Sequence, residues 1–261
     1  MNIVARCHVL SIVRLTALLA CLASPALLAE DRYAKTGAEA VSRIANDIYE
    51  ALDAKPRGVL TRHDVMVKPE GAAFLTQGAA GDKGVVVFSS GFVELMNRLA
   101  HAKAIEKVSK GYFEKYVLSL GDAPQELPGG SDSRYWDTKL LDEQASSFSQ
   151  MVGMMVAIEY SHHYLGHYSK YGDKVGAYSA HPAPISQFLT ADEWAASLRA
   201  GVRNCLAAGL GIEGVKALVD AIDKVVKRPG WAGFCIPDST KAKALKKEME
   251  KLERKFFGGE E

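Results

Sequence analysis

A long helical segment at 141–166 constrains the fold of this chain more than any other part of its sequence. We interpret the methionines in its middle as core residues, because the flexible thioether side chain fills irregular gaps in a packed core. The end of the segment reads VAIEYSHHYLGHY and contains three of the seven histidines of the chain, namely His162, His163 and His167. One helix is therefore expected to supply both core packing and a cluster of possible metal ligands.

The other elements predict a single α+β domain at 30–261, mostly helical and with a small antiparallel β-sheet. Thr36 and Glu39 have the spacing of a capping box, which predicts the start of the first helix. A short apolar run at 85–88, bounded by turn residues, predicts a buried strand. The pattern then becomes helical at 91–120 and in later segments. A helix, a few strands and then several helices are typical of an α+β fold.

Two later helices carry recognisable signals. Thr190 and Glu193 form a second capping box and predict a helix start there. The segment 239–257 is rich in charge, with opposite charges four residues apart such as Lys246 and Glu250. We interpret it as a charged C-terminal helix that packs along one edge, with a basic docking surface as the alternative.

Residues 1–29 have the pattern of a signal peptide. Arg6 and Arg14 precede the apolar stretch LTALLACLASPALLA, which ends in small residues and is followed by a polar sequence. The stretch is shorter than the roughly 20 apolar residues that cross a membrane. The sequence therefore predicts a periplasmic or secreted protein without a transmembrane segment in its mature chain.

The predicted export bears on the redox state of the cysteines, and the net charge bears on the class of partner. Cys205 and Cys235 remain after removal of the leader, and an even pair in an oxidising compartment predicts a disulfide, with two buried thiols as the alternative. The net charge of the whole chain is only +1, so nothing in the charge balance indicates a nucleic-acid partner.

The histidine helix has the spacing of a metal site with one ligand missing. In the motif H-E-x-x-H, two histidines bind zinc from one face of a helix and the glutamate activates a metal-bound water. Here Glu159 and His162 occupy the last two places, but Ile158 stands where the first histidine would be. Isoleucine has no lone pair to donate, so the motif lacks one protein ligand.

Neighbouring histidines offer ways to replace that ligand. On a continuous helix Glu159, His163 and His167 lie at i, i+4 and i+8 of one face, so Glu159–His163 or His163–His167 could bind one ion. All three cannot, because eight residues of helix span about 12 Å. The alternative without metal is a helix whose histidines make hydrogen bonds within the helical layer.

The stretch IEYSHHYLGHY resembles the active helix of the gluzincin zinc peptidases of the HtpX, CAAX prenyl protease and BepA type. Residues 71–96 resemble the strand pair and glycine-led helix that precede it. Residues 190–222 resemble the segment that carries the third zinc ligand. The resemblance implies a zincin-like fold, zinc bound by His162 and Glu193, Glu159 as the general base, and an edge strand that pairs with substrate backbone.

The chain departs from that family at three places. Ile158 replaces a zinc histidine, Ser197 replaces an aspartate, and about fifty residues at 97–148 separate the two helices. These departures predict an exported metallopeptidase-like protein with impaired or absent peptidase activity, which binds polypeptides or an envelope protein. One alternative is an active zinc endopeptidase with a rearranged site using His163 or His167. The other is a structural envelope protein without metal.

Overall fold

The computed structural model describes residues 25–60, 64–68, 76–77, 86–121, 125–175, 185–226, 231–232 and 242–258. The helices in these ranges are α1 Pro25–Ala51, α2 Ala54–Val59, α3 Ser90–Ile105, α4 Tyr112–Ser119, α5 Thr138–Tyr164, α6 His167–Val175, α7 Ala191–Ala207, α8 Glu213–Ile222 and α9 Ala242–Phe256. Short 3-10 turns occupy Ser133–Trp136 and Ile185–Gln187. The described residues are thus mostly helical, as expected for this α+β chain.

The strands form a small mixed sheet. They are β1 Val65–Lys68, β2 Thr76–Gln77 and β3 Val86–Ser89, in the spatial order β1-β3-β2. β1 runs parallel to β3 and β2 runs antiparallel to it. The prediction of an antiparallel sheet is therefore wrong for the longer pair, because β1 runs in the same direction as β3 and only β2 runs against it.

Helix α5 lies at the centre of the fold and packs against α1, α3, α7 and α8. Every residue from Met151 to Ala157 is buried, so this part of the helix is enclosed on all sides. The prediction that Met151, Met154 and Met155 are core residues is confirmed. β3 is also buried along its whole length and leads directly into α3, where the Ser89 hydroxyl accepts a hydrogen bond from the Phe92 amide.

Local sequence signals predict some of the helix boundaries correctly and others incorrectly. The Thr190–Glu193 capping box is present at the start of α7, as predicted. Thr36 instead lies inside α1, because the alanine- and leucine-containing sequence before it also favours a helix. The predicted helix at 91–120 is divided into α3 and α4, and Gly111 adopts a φ of 80° just before α4.

Helix α9 packs along α7 and α8 with Leu245 and Met249 buried, in agreement with the predicted C-terminal helix. Its Lys246 forms an ion pair with Asp220 of α8. Cys205 is a buried thiol whose pKa is raised by burial, whereas Cys235 lies outside the described residues, so the disulfide stays a prediction. Among the described residues, no helix is long and apolar enough to cross a membrane. The predicted leader at 1–29 falls largely outside those residues.

Candidate functional site

The carboxyl end of α5 packs against the first half of α7 through two pairs of residues. The Ser197 hydroxyl lies 3.0 Å from Nδ1 of His162. One helical turn away, a Cβ placed on Gly201 would lie only 2.6 Å from Cγ1 of Ile158. The spacing is i, i+4 on both helices, so Ile158 and His162 face α7 together. Gly201 allows this close approach because it has no side chain.

A glycine turn after α5 changes the position of the third histidine. α5 ends at Tyr164, Gly166 has a φ of 80°, and α6 starts at His167. The Gly166 amide donates to the His163 carbonyl, as in a helix that is closed by a left-handed glycine. The expectation that His163 and His167 share one helical face is therefore wrong. The glycine in YLGH was the available signal for this break.

The turn brings His167 back to His162. Their Nδ1 atoms are 3.0 Å apart, and the Ser197 hydroxyl lies 3.0 Å from the first and 3.4 Å from the second. All three residues are buried, with 1%, 5% and 1% of His162, His167 and Ser197 exposed. Burial, with His167 and His163 nearby, lowers the pKa of His162 to about 3, and burial also lowers the pKa of His167. Both imidazoles are thus neutral at neutral pH, the form that binds metal ions.

Glu159 is linked to this cluster by Tyr168. Burial raises the pKa of Glu159 to about 7, an effect that is opposed by a 2.9 Å hydrogen bond from the Tyr168 hydroxyl to Oε2. The Tyr168 ring stacks on His163 at 4.6 Å and meets His162 edge-on at 6.3 Å. His163 therefore packs against Tyr168 and is not a member of the His162–His167 pair. Sequence reasoning missed Tyr168, because its contact with Glu159 depends on the turn.

Glu193 is held at the start of α7. One carboxylate oxygen accepts from Lys170 at 2.8 Å, and the other accepts from Tyr171 at 3.0 Å and from the Thr190 amide at 2.9 Å. The Lys170 contact and the cap lower the pKa of Glu193 to about 2. The capping alternative for Glu193 is confirmed, and the same carboxylate also ties α6 to α7.

The zinc site that the gluzincin resemblance implies does not fit these residues. Ile158 supplies packing against Gly201 instead of a ligand, and both oxygens of Glu193 are bonded within the cap. In the part of the chain that the structure describes, no group of three His, Cys, Asp or Glu residues could hold one ion. No protein-family model matches the chain, and comparisons with curated proteins and with solved structures give no match either. The resemblance therefore stays a prediction from the sequence.

Proposed function

We propose that the protein is an exported metallopeptidase-like protein with impaired or absent zinc-peptidase activity, which binds polypeptides or a protein partner in the cell envelope. The observation that carries the proposal is the packing of α7 on α5. It brings Ser197 within 3.0 Å of His162, so the two segments that resemble the gluzincin ligand helices lie side by side. The resemblance implies that these two segments lie side by side, so their contact supports the proposal.

Loss of peptidase activity follows from the ligands that remain. Catalytic zinc needs three protein ligands and one open position for water. Ile158 cannot be a ligand, and Glu193 would have to leave Lys170, Tyr171 and its cap to become one. His162 alone remains of the family's three ligands, and one imidazole does not hold zinc against water and competing chelators.

Polypeptide binding is supported by the sheet. Among the described residues β1 forms one edge, paired on one side with β3 from Val65 to Lys68. An edge strand presents unpaired backbone groups that an extended peptide can join by β-augmentation. Met66 of this strand is 46% exposed, which offers an apolar contact to such a peptide.

A second candidate function is favoured by the contact between His162 and His167. Their Nδ1 atoms, 3.0 Å apart, would allow His167 to replace the missing histidine in a rearranged zinc endopeptidase site. Glu159, with a pKa near 7, would suit a general base there. The His163 version of this candidate has less support, because the ring of His163 stacks on Tyr168.

The test uses tag-free mature protein with and without zinc, a fluorescently labelled unfolded polypeptide as ligand, and casein as substrate. We expect the polypeptide to bind and casein to remain intact. The Met66→Lys variant should weaken binding, whereas Leu118→Lys, at a residue on α4 that is also 46% exposed, should leave it unchanged. Zinc-dependent cleavage that is lost in Glu159→Gln would favour the second candidate. If the protein neither binds the polypeptide nor cleaves casein, the remaining interpretation is a structural envelope protein without metal.

Restoring the missing histidine tests the scaffold itself. Because Ile158 faces α7 beside His162, the Ile158→His variant should raise zinc affinity by about 10- to 100-fold, the range that single residues around a metal site commonly supply. Ile158→Gln is the control, since it is polar but has no imidazole. Isothermal titration of both variants with zinc gives the comparison, and equal affinities would contradict the gluzincin-like arrangement of α5 and α7.

A further inference from the structure

We propose that Nδ1 of His162, Nδ1 of His167 and Oγ of Ser197 form a binding site for a borderline transition-metal ion such as Zn²⁺. The site joins the end of α5, the start of α6 and the first half of α7. It deepens the second candidate function, because it names the atoms that replace the missing histidine. It does not require hydrolysis, so the metal can equally have a structural role that locks the α5–α6 turn onto α7.

Hydrogen-bond accounting leaves electron pairs directed at one point. The Ser197 hydroxyl lies 3.0 Å from the Glu193 carbonyl oxygen, which can only accept, so the hydroxyl can donate its one hydrogen there. In that arrangement Oγ of Ser197 presents lone pairs to the two histidines. The two facing Nδ1 atoms share room for one hydrogen between them. That hydrogen serves one of the three contacts, whereas a bound cation would serve all three.

The distances agree with a shared ion. Zinc binds imidazole nitrogen at about 2.0–2.1 Å, so two ligand atoms of one tetrahedral zinc ion lie roughly 3–3.5 Å apart. The three separations among His162, His167 and Ser197 are 3.0, 3.0 and 3.4 Å. Two imidazoles with a hydroxyl are also the donor set of a borderline metal, since imidazole suits zinc, copper and nickel whereas magnesium and calcium prefer carboxylate oxygens.

The surroundings favour binding over accidental proximity. All three side chains are almost completely buried and come from packed helices, so little ordering remains to be done when the ion binds. The ligands are neutral, but two acidic groups lie close by. Glu193 interacts electrostatically with His167, and Glu159 is linked to His162 through the ring of Tyr168. The ionised carboxylate of Glu193 offsets part of the charge of a divalent ion.

The experiment measures zinc alone on the full mature chain without an affinity tag, after removal of metal with a chelator. Equilibrium dialysis at micromolar zinc should give one ion per chain. Because even residues behind the ligands change metal affinity by about 10- to 100-fold, His167→Ala and His162→Ala should each weaken binding at least that much. His163→Ala is the matched control and should bind as the wild type does, whereas Glu193→Gln removes only a nearby charge and should weaken binding much less than His167→Ala. Circular dichroism in chelator verifies that each variant is folded.

A variant that gains zinc affinity also tests the site, because a gain of affinity cannot result from a failure to fold. Ser197→Asp places a carboxylate where the hydroxyl is and should tighten zinc binding by about tenfold or more. Absence of bound zinc in the wild type, or binding that Glu193→Gln weakens as much as His167→Ala, would overturn the site. The polypeptide-binding assay on the His167→Ala variant separates the two proposals. Retained polypeptide binding with lost zinc means that the site and the proposed function are independent.

Discussion

Two buried histidines on neighbouring helices, His101 and His162, have different kinds of hydrogen-bond partner. Nδ1 of His101 on α3 accepts from the Tyr33 hydroxyl at 2.5 Å, and Nε2 donates to the Tyr135 carbonyl at 2.7 Å. One tautomer satisfies both contacts. Nδ1 of His162 on α5 instead faces the ring nitrogen of another histidine and a hydroxyl that can donate its one hydrogen to the Glu193 carbonyl. His101 is thus a structural residue whose ring nitrogens both have partners.

The difference shows that burial alone does not identify a metal ligand. Both histidines are at most 1% exposed. What separates them is the chemistry of their partners, which are a fixed donor and a fixed acceptor for His101 but two groups that can each donate or accept for His162. Both histidines are equally buried, and only their partners distinguish the structural residue from the one that we propose as a metal ligand.

The largest expected effect comes from removing the structural histidine. His101→Ala leaves a cavity beside Trp136, whose ring contacts the imidazole edge-on at 4.8 Å, and removes the hydrogen-bond partners of Tyr33 and Tyr135. We expect a loss of about 4 kcal/mol in the free energy of unfolding. Urea denaturation measures it. Zinc binding by the folded fraction should be unchanged, and a selective loss of zinc would contradict the division between the two histidines.

The next effect depends on pH and tests the polar end of α5. The pKa of Glu159 is raised to about 7 in the folded protein, above the ordinary value of 4.5. The stability it contributes is therefore fully present below about pH 4.5 and is lost as the pH rises through 7. The loss is about 3 kcal/mol, since each pKa unit corresponds to about 1.4 kcal/mol.

A glutamine at position 159 has nearly the same shape as glutamate but does not titrate. The Glu159→Gln variant therefore isolates the effect of the raised pKa on stability. In chelator, Glu159→Gln should be about as stable as the wild type near pH 4.5 and about 3 kcal/mol more stable near pH 8. The exposed Glu39→Gln variant is the control. Urea denaturation at both pH values provides the measurement, and a constant difference between wild type and Glu159→Gln would contradict the raised pKa of Glu159 in the folded protein.

The smallest effect tests the contact between α5 and α7. In Gly201→Ala the new Cβ meets Cγ1 of Ile158, so one helix must shift, at a cost of about 1–3 kcal/mol that the helix preference of alanine offsets by about 1 kcal/mol. The double variant with Ile158→Ala should recover part of the loss. Thermal unfolding of the single and double variants measures the coupling, and strictly additive losses would mean that the two residues do not touch.

Local signals in the sequence predicted part of the fold and the members of the site. The capping box at Thr190 and Glu193 predicted the start of α7, because the bonds that form it lie within four residues of one another. The apolar run at 85–88 predicted the buried strand β3 within one residue. The cluster of histidines near Glu159 was also visible. The same sequence could not predict that β1 pairs in parallel with β3, because strand order depends on distant contacts.

By itself, the sequence therefore determined that Ile158 stands where an H-E-x-x-H motif has its first histidine, and it predicted the start of α7 from the capping box that Glu193 completes. The tertiary structure alone decided that His167 meets His162 and Ser197, and that Tyr168 binds Glu159. The physical reason is the separation along the chain between the residues that interact. Helix periodicity and caps act over one turn of backbone, whereas these contacts require the left-handed turn at Gly166 and the close packing of α7 on α5.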